Sequence, residues 1–102
     1  MNQAQMMAQV KKMQMEMAKA QEDLASTSVT GTAGGNAVAV TMTCDNRITG
    51  VKLAQEAVDP DDVETLEDLL VVAMNDAVQK AQDTSNKRMS AVTGGLRIPG
   101  LM

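Results

Sequence analysis

The stretch DPDDVETLEDLLVVAMNDAVQKA, Asp59 to Ala81, constrains this chain more than any other. Asp59 is placed to cap a helix N-terminus, and Pro60 suits the first helical position. Asp61, Asp62 and Glu64 set negative charge at the positive end of the helix dipole. At about 100° per residue, Leu66, Leu69, Leu70, Ala73, Ala77 and Ala81 fall on one face. Val71, Met74 and Val78 widen it, while Glu64, Asp68, Asn75 and Gln79 hold the opposite side. The apolar arc exceeds half the circumference, more than a helix on a single sheet needs. The sequence therefore predicts two covering surfaces, a sheet and a partner subunit.

Length and composition bear on that expectation. A chain of 102 residues suggests one domain, 1–102, and its hydrophobic fraction of 44% contains no Phe, Tyr or Trp. Much of the apolar content is Ala and Met, which bury little area or specify packing weakly. A monomer of this size has an unfavourable surface-to-volume ratio, and dimerisation is the simplest remedy.

Several kinds of chemistry are excluded. There is no His, and Cys44 is the only cysteine. Imidazole acid–base catalysis, Ser-His-Asp and Cys-His nucleophiles and a single-chain Cys/His zinc site are all removed. No catalytic residue, metal or cofactor is expected, nor any small-molecule substrate, and Cys44 reads as a half-buried hydrophobe at a strand end. An intramolecular disulfide is impossible, which suits a reducing cytosol. Lys11 and Lys12 are followed by no apolar signal-peptide core, and the longest apolar run, Leu69 to Met74, is too short to cross a bilayer. The expected location is cytoplasmic, with no membrane partner.

Net charge is −4, but it is unevenly distributed. Eight acids and no base lie between Glu56 and Asp76, leaving nine bases against five acids elsewhere. The acidic middle is flanked by bases toward both ends.

In chain order, residues 1–25 read as a helix rich in Gln, Ala, Met and Lys. Met6, Val10, Met13, Met17, Ala20 and Leu24 form a heptad-like seam that only Met7 and Met15 leave. Helix packing explains this stripe better than a metal-binding role. Lys12–Glu16 and Lys19–Asp23 have the spacing of i,i+4 ion pairs. Residues 26–54 change period and predict three strands, Thr27–Thr32, Ala37–Cys44 and Arg47–Leu53. Val38, Val40, Met42 and Cys44 share one face of the second strand. The run Gly31–Gly35 reads as a turn, because a phosphate loop would lie between a strand and a helix and supply a Lys. Asp45-Asn46 predicts a two-residue hairpin turn. The long helix is expected over 59–89, and the Gly-rich tail 90–102 to be irregular and mobile. Met13, Met17, Val38, Val40, Leu66, Leu70, Ala73, Met74 and Ala77 are the expected core and dimer residues.

Four words in this order carry a resemblance: the Gln/Met/Lys first helix, VTGTAGG before AVAVTMT, DPDD…ETLEDLLVVAMNDAVQKA, and KRMSAVTGGLRIPG. Together they resemble the YbaB/EbfC family of bacterial nucleoid-associated proteins over nearly the whole chain. The resemblance implies an α+β fold. Its α-β-β-β-α protomer has a three-stranded antiparallel meander and forms an intertwined homodimer with projecting terminal helices. It also implies non-enzymatic binding of double-stranded DNA in the nucleoid, with weak sequence preference. Genes of the family often lie beside one for a recombination mediator, which implies a recombination-repair protein as a further partner.

Two functions follow for the bases. As a DNA-binding dimer, the chain would contact phosphates with Lys11, Lys12, Lys19, Lys80, Lys87, Arg88 and Arg97, and the binding would be steeply salt-dependent. Without aromatics it has no stacking platform for single strands. As a scaffold in DNA repair without direct DNA binding, it would instead dock another protein on the Met seam or the tail. Convergence of Lys11, Lys12, Lys87 and Arg88 on one exposed face would favour DNA.

Overall fold

The computed structural model describes residues 2–93. Its order is α1 (Gln3–Ala25), β1 (Ser28–Ala33), β2 (Val38–Thr43), β3 (Arg47–Leu53) and α2 (Val63–Thr93), with a short 3₁₀ turn at Gln55–Ala57. The strands form one antiparallel sheet in the order β1-β2-β3. The chain has an α+β fold of the α-β-β-β-α kind. The tail beyond Thr93, including Arg97, lies outside the described residues.

Local chemistry explains the boundaries. Asn2 caps α1 by accepting the Gln5 N–H at 2.8 Å, while the Gln5 side chain returns a bond to the Asn2 N–H. At its other end, the Thr27 hydroxyl donates to the Asp23 carbonyl at 2.7 Å, closing the last turn. The Cys44 N–H donates to the carbonyls of both Leu24 and Thr27, which ties the end of α1 to the end of β2.

Two turns differ from expectation. Asp62, not Asp59, caps α2: its carboxylate accepts the Thr65 N–H at 3.3 Å and the Thr65 hydroxyl at 2.7 Å. Asp59 instead closes a turn through Pro60, accepting the Asp61 N–H on its side chain and the Asp62 N–H on its carbonyl. The fixed φ of Pro60 serves that turn as well as a helix start. The helix therefore begins at Val63 and runs past Met89 to Thr93. The β2–β3 connection is a three-residue loop, Cys44-Asp45-Asn46, with only Asn46 at positive φ. A turn followed by one left-handed residue matches strand twist as a primed two-residue turn does. Between β1 and β2, Gly34, Gly35 and Asn36 all take positive φ, the conformation glycine adopts most cheaply.

α2 lies across β1 and β2. Gly31 makes this approach possible, because a Cβ there would sit 2.3 Å from the Ala73 carbonyl oxygen and the Ala77 nitrogen. Ala73, Ala77 and Ala81 are buried against the sheet together with Val38, Val40, Met42 and Cys44. Val38 and Val40 are fully buried, each stabilising the fold by about 1.5–3 kcal/mol. Leu24 and Ala20 of α1 are buried as well, Leu24 within this same core.

The core is smaller than the sequence predicts. Leu66 and Leu70 are half-buried, Met13 is half-buried, and Met17 and Met74 stay exposed. The reason is shape: the chain measures 70 × 26 × 16 Å, with a radius of gyration of 19.5 Å. A compact domain of this length would have about 13 Å. The first half of α1 extends beyond the body, and Met6 and Val10 of its seam are exposed.

The uncovered apolar surface is continuous with the core. Register pairs Val38 with Leu53, Val40 with Val51 and Met42 with Ile48, so all six share the face that α2 covers over β1 and β2. Every residue of β3 is nevertheless exposed. On α2, Asp76 and Lys80 reach the edge of β1, which orients that flank. Val71, Met74 and Val78 lie on the opposite flank, toward β3, and are also exposed. One side of α2 and the inner face of β3 form an open apolar trough.

Candidate nucleic-acid interface

The seven bases nominated from sequence fall into three groups. Lys11, Lys12 and Lys19 are exposed on α1, and none is hydrogen-bonded or ion-paired among the described residues. Neither expected pair, Lys12–Glu16 nor Lys19–Asp23, forms among the described residues, and Asp23 instead pairs with Arg88 at 2.8 Å. Residues 2–15 contain two lysines and no acid, and no acid occupies the first turn of α1. The free end of α1 thus adds side-chain charge to the positive end of a helix dipole.

Lys80 and Arg88 are engaged within the chain. The Lys80 ammonium donates to the Thr30 carbonyl at 2.9 Å and pairs with Asp76 at 3.2 Å. The same Asp76 oxygen accepts the Thr32 N–H at 3.0 Å. Together these side chains satisfy the outer edge of β1, which would otherwise offer its backbone to another strand. Arg88 joins α2 to α1 through an exposed pair worth at most about 1 kcal/mol. Lys19 and Arg88 line one small cleft at this junction with Glu16, Ala91 and Val92. Lys87 is exposed next to Arg88, whereas Lys80 is held apart on β1. Arg97 is outside the described residues.

Two exposed bases on β3, Arg47 and Lys52, were not among the candidates, and neither is ion-paired among the described residues. Register pairs Lys52 with Ala39 and Arg47 with Thr43, which places both on the face of the sheet turned away from α2.

Asp76 has its acidity strengthened. The Thr32 backbone N–H is the largest cause, the Lys80 hydrogen bond and charge add to it, and partial desolvation opposes. A lowered folded pKa stabilises the fold above the unfolded carboxylate value of about 3.9, and that contribution is lost as pH falls below it. Asp76→Asn is therefore expected to melt closer to wild type in acid strong enough to protonate Asp76 in the folded protein than at pH 7. Parallel thermal melts would show this, and an offset independent of pH would remove the charge contribution from the account.

Among the described residues no group of three or more His, Cys, Asp or Glu side chains could hold a metal ion. No described helix is long and apolar enough to cross a membrane.

A three-stranded meander flanked by two long helices, one projecting with an unpaired basic face, defines a small binding protein. The chain belongs to the YbaB/EbfC DNA-binding family, whose family model matches residues 1–96. A nucleoid-associated protein of Chloroflexus aurantiacus is 50% identical over 97 residues, covering 95% of this chain and 97% of that protein. Another, from Pelotomaculum thermopropionicum, is 46% identical over 100 residues, covering 98% and 95%. The crystal structure of an uncharacterized protein from Helicobacter pylori has the same fold. Its TM-score is 0.76 at 20% identity, covering 95% of this chain and 99% of that one.

Proposed function

We propose that this chain is a non-enzymatic, nucleoid-associated protein that binds double-stranded DNA as a homodimer, through Lys11, Lys12 and Lys19. The observation carrying this reading is that Lys11, Lys12 and Lys19 are exposed with no hydrogen-bond or ion-pair partner among the described residues, the first two on the projecting, acid-free end of α1 and Lys19 nearer its junction with α2. Family membership and the relatives' description as nucleoid-associated proteins support it. Lys87 and Arg88 are secondary contacts, Arg88 being released only when its pair with Asp23 opens. Lys80 is structural, because withdrawing it would uncover the Thr30 carbonyl.

The homodimer rests on the open trough. Ile48, Val51 and Leu53 of β3 with Val71, Met74 and Val78 of α2 expose too much connected apolar surface for a soluble monomer. A second copy related by a two-fold axis would bury the same residues on both sides. It would also double the lysine faces, so that one dimer presents two to a duplex.

Fluorescence anisotropy with a labelled duplex of roughly 30 base pairs, titrated across salt, tests the reading. Each phosphate contact contributes about 0.9 to the slope of log affinity against log salt. Lys11→Ala/Lys12→Ala/Lys19→Ala is expected to flatten the slope by up to about five in a dimer, with a large loss of affinity at low salt. Lys80→Ala should leave the slope unchanged. Absence of binding at low salt, or an unchanged slope in the triple variant, would overturn it.

A further inference from the structure

Met15 is the most exposed large hydrophobic residue among the described ones, at 73%. It stands off the methionine seam, and no packing in the protomer accounts for it. At 3.6 residues per turn, Ala4, Ala8 and Met15 fall within about 40° of one another on α1. Lys11 lies on one side of that line, and Lys12 and Lys19 on the other. Ala20 and Leu24, the buried residues of α1, point the other way. The outward face of the helix is thus an apolar line bordered by cations.

We propose that this line seats against thymine methyl groups on the floor of the DNA major groove while the bordering lysines hold phosphates on either side. The inference rests on the duplex-binding reading above. Dimensions choose the groove: a helix with side chains is about 10–12 Å across, matching the major groove at about 12 Å and excluding the minor groove at about 6 Å. Chemistry chooses the base feature. Alanine methyls and a thioether offer no strong donor or acceptor, and the C5-methyl of thymine is the one apolar group exposed in that groove. Methionine adapts its shape to such a contact. From Ala4 to Met15 the line runs about 17 Å, roughly five base-pair steps. Glu16 stands about 100° from the line, on the flank beyond Lys12, whereas Glu22 returns to this face and bounds the contact. The consequence is a mild preference for A·T-rich duplex without a fixed recognition sequence.

The test compares one duplex with its counterpart in which every thymine is replaced by uracil, removing only the methyl groups. Wild-type protein is expected to bind the uracil duplex more weakly, by about fourfold for each methyl covered. Met15→Gln, a solvent-exposed change between good helix formers, should bind the thymine duplex more weakly and lose most of the thymine–uracil difference. Its salt slope should match wild type, because no phosphate contact is removed. Circular dichroism would confirm equal helix content. Equal wild-type affinity for both duplexes, with the salt dependence intact, would sink the methyl contact and leave DNA binding standing. A thymine–uracil difference undiminished in Met15→Gln would sink the assignment to Met15. Absence of binding to either duplex at low salt would overturn both readings together.

Discussion

Gly31→Ala is expected to destabilise the protein by about 3 kcal/mol, lowering the melting temperature by on the order of 15 °C. The added Cβ would meet the Ala73 carbonyl oxygen and the Ala77 nitrogen at 2.3 Å, and the Ala77 Cα at 2.8 Å. All three are backbone atoms, so no rotamer change relieves the clash. α2 would have to lift from β1 by about 1 Å to reach ordinary contact distance, loosening Val38 and Val40 beneath it. Gly50→Ala is the control: nothing lies within 4 Å of its added Cβ, and the change should stay within about 0.5 kcal/mol. Both melts need the same protein concentration, because an associating chain gains stability from its partner. A Gly31→Ala protein melting with wild type would mean that α2 does not seat on β1 this closely.

The second large effect concerns the open trough. In the proposed homodimer, Val78→Glu would place a carboxylate between α2 and the second copy, where an unpaired buried charge costs several kcal/mol. A cost of about 3 kcal/mol raises the dimer dissociation constant roughly a hundredfold. Sedimentation across a concentration series would read this directly. Val72→Glu is the control, the same residue type and also exposed but about 120° around the helix, away from β3. A wild-type monomer, or equal dissociation of the two variants, would remove the trough as the dimer surface. Loss of DNA affinity in Val78→Glu alone would then tie the paired lysine faces to dimerisation.

Among the bases, the tertiary structure separates what composition groups together. Seven cations look alike in sequence, yet Lys80 is bound to a carbonyl 50 residues away and Arg88 to a carboxylate 65 residues away. Lys11 and Lys12 keep their charge available because α1 runs past the body, and Lys19, beside α2, because Arg88 takes the Asp23 carboxylate. The methionine seam is the converse case. Its heptad spacing predicts packing, and among the described residues that packing is complete at Ala20 and Leu24, partial at Met13, and lost at Met6 and Val10.

The sequence by itself determined the order of elements, the apolar face of α2, the alternation of β2 and the absence of imidazole chemistry. These depend on helix and strand period, caps and composition, all of which act within a few residues. Even its misplacement of the α2 cap stayed local, choosing Asp59 over Asp62 three residues later. Only the tertiary structure decided that Gly31 receives α2, that β3 stays uncovered, and which lysines remain free. Those depend on how closely a helix approaches a sheet and where it stops. That distance is set by a glycine and two alanines more than 40 residues apart in the chain, beyond the reach of any local pattern.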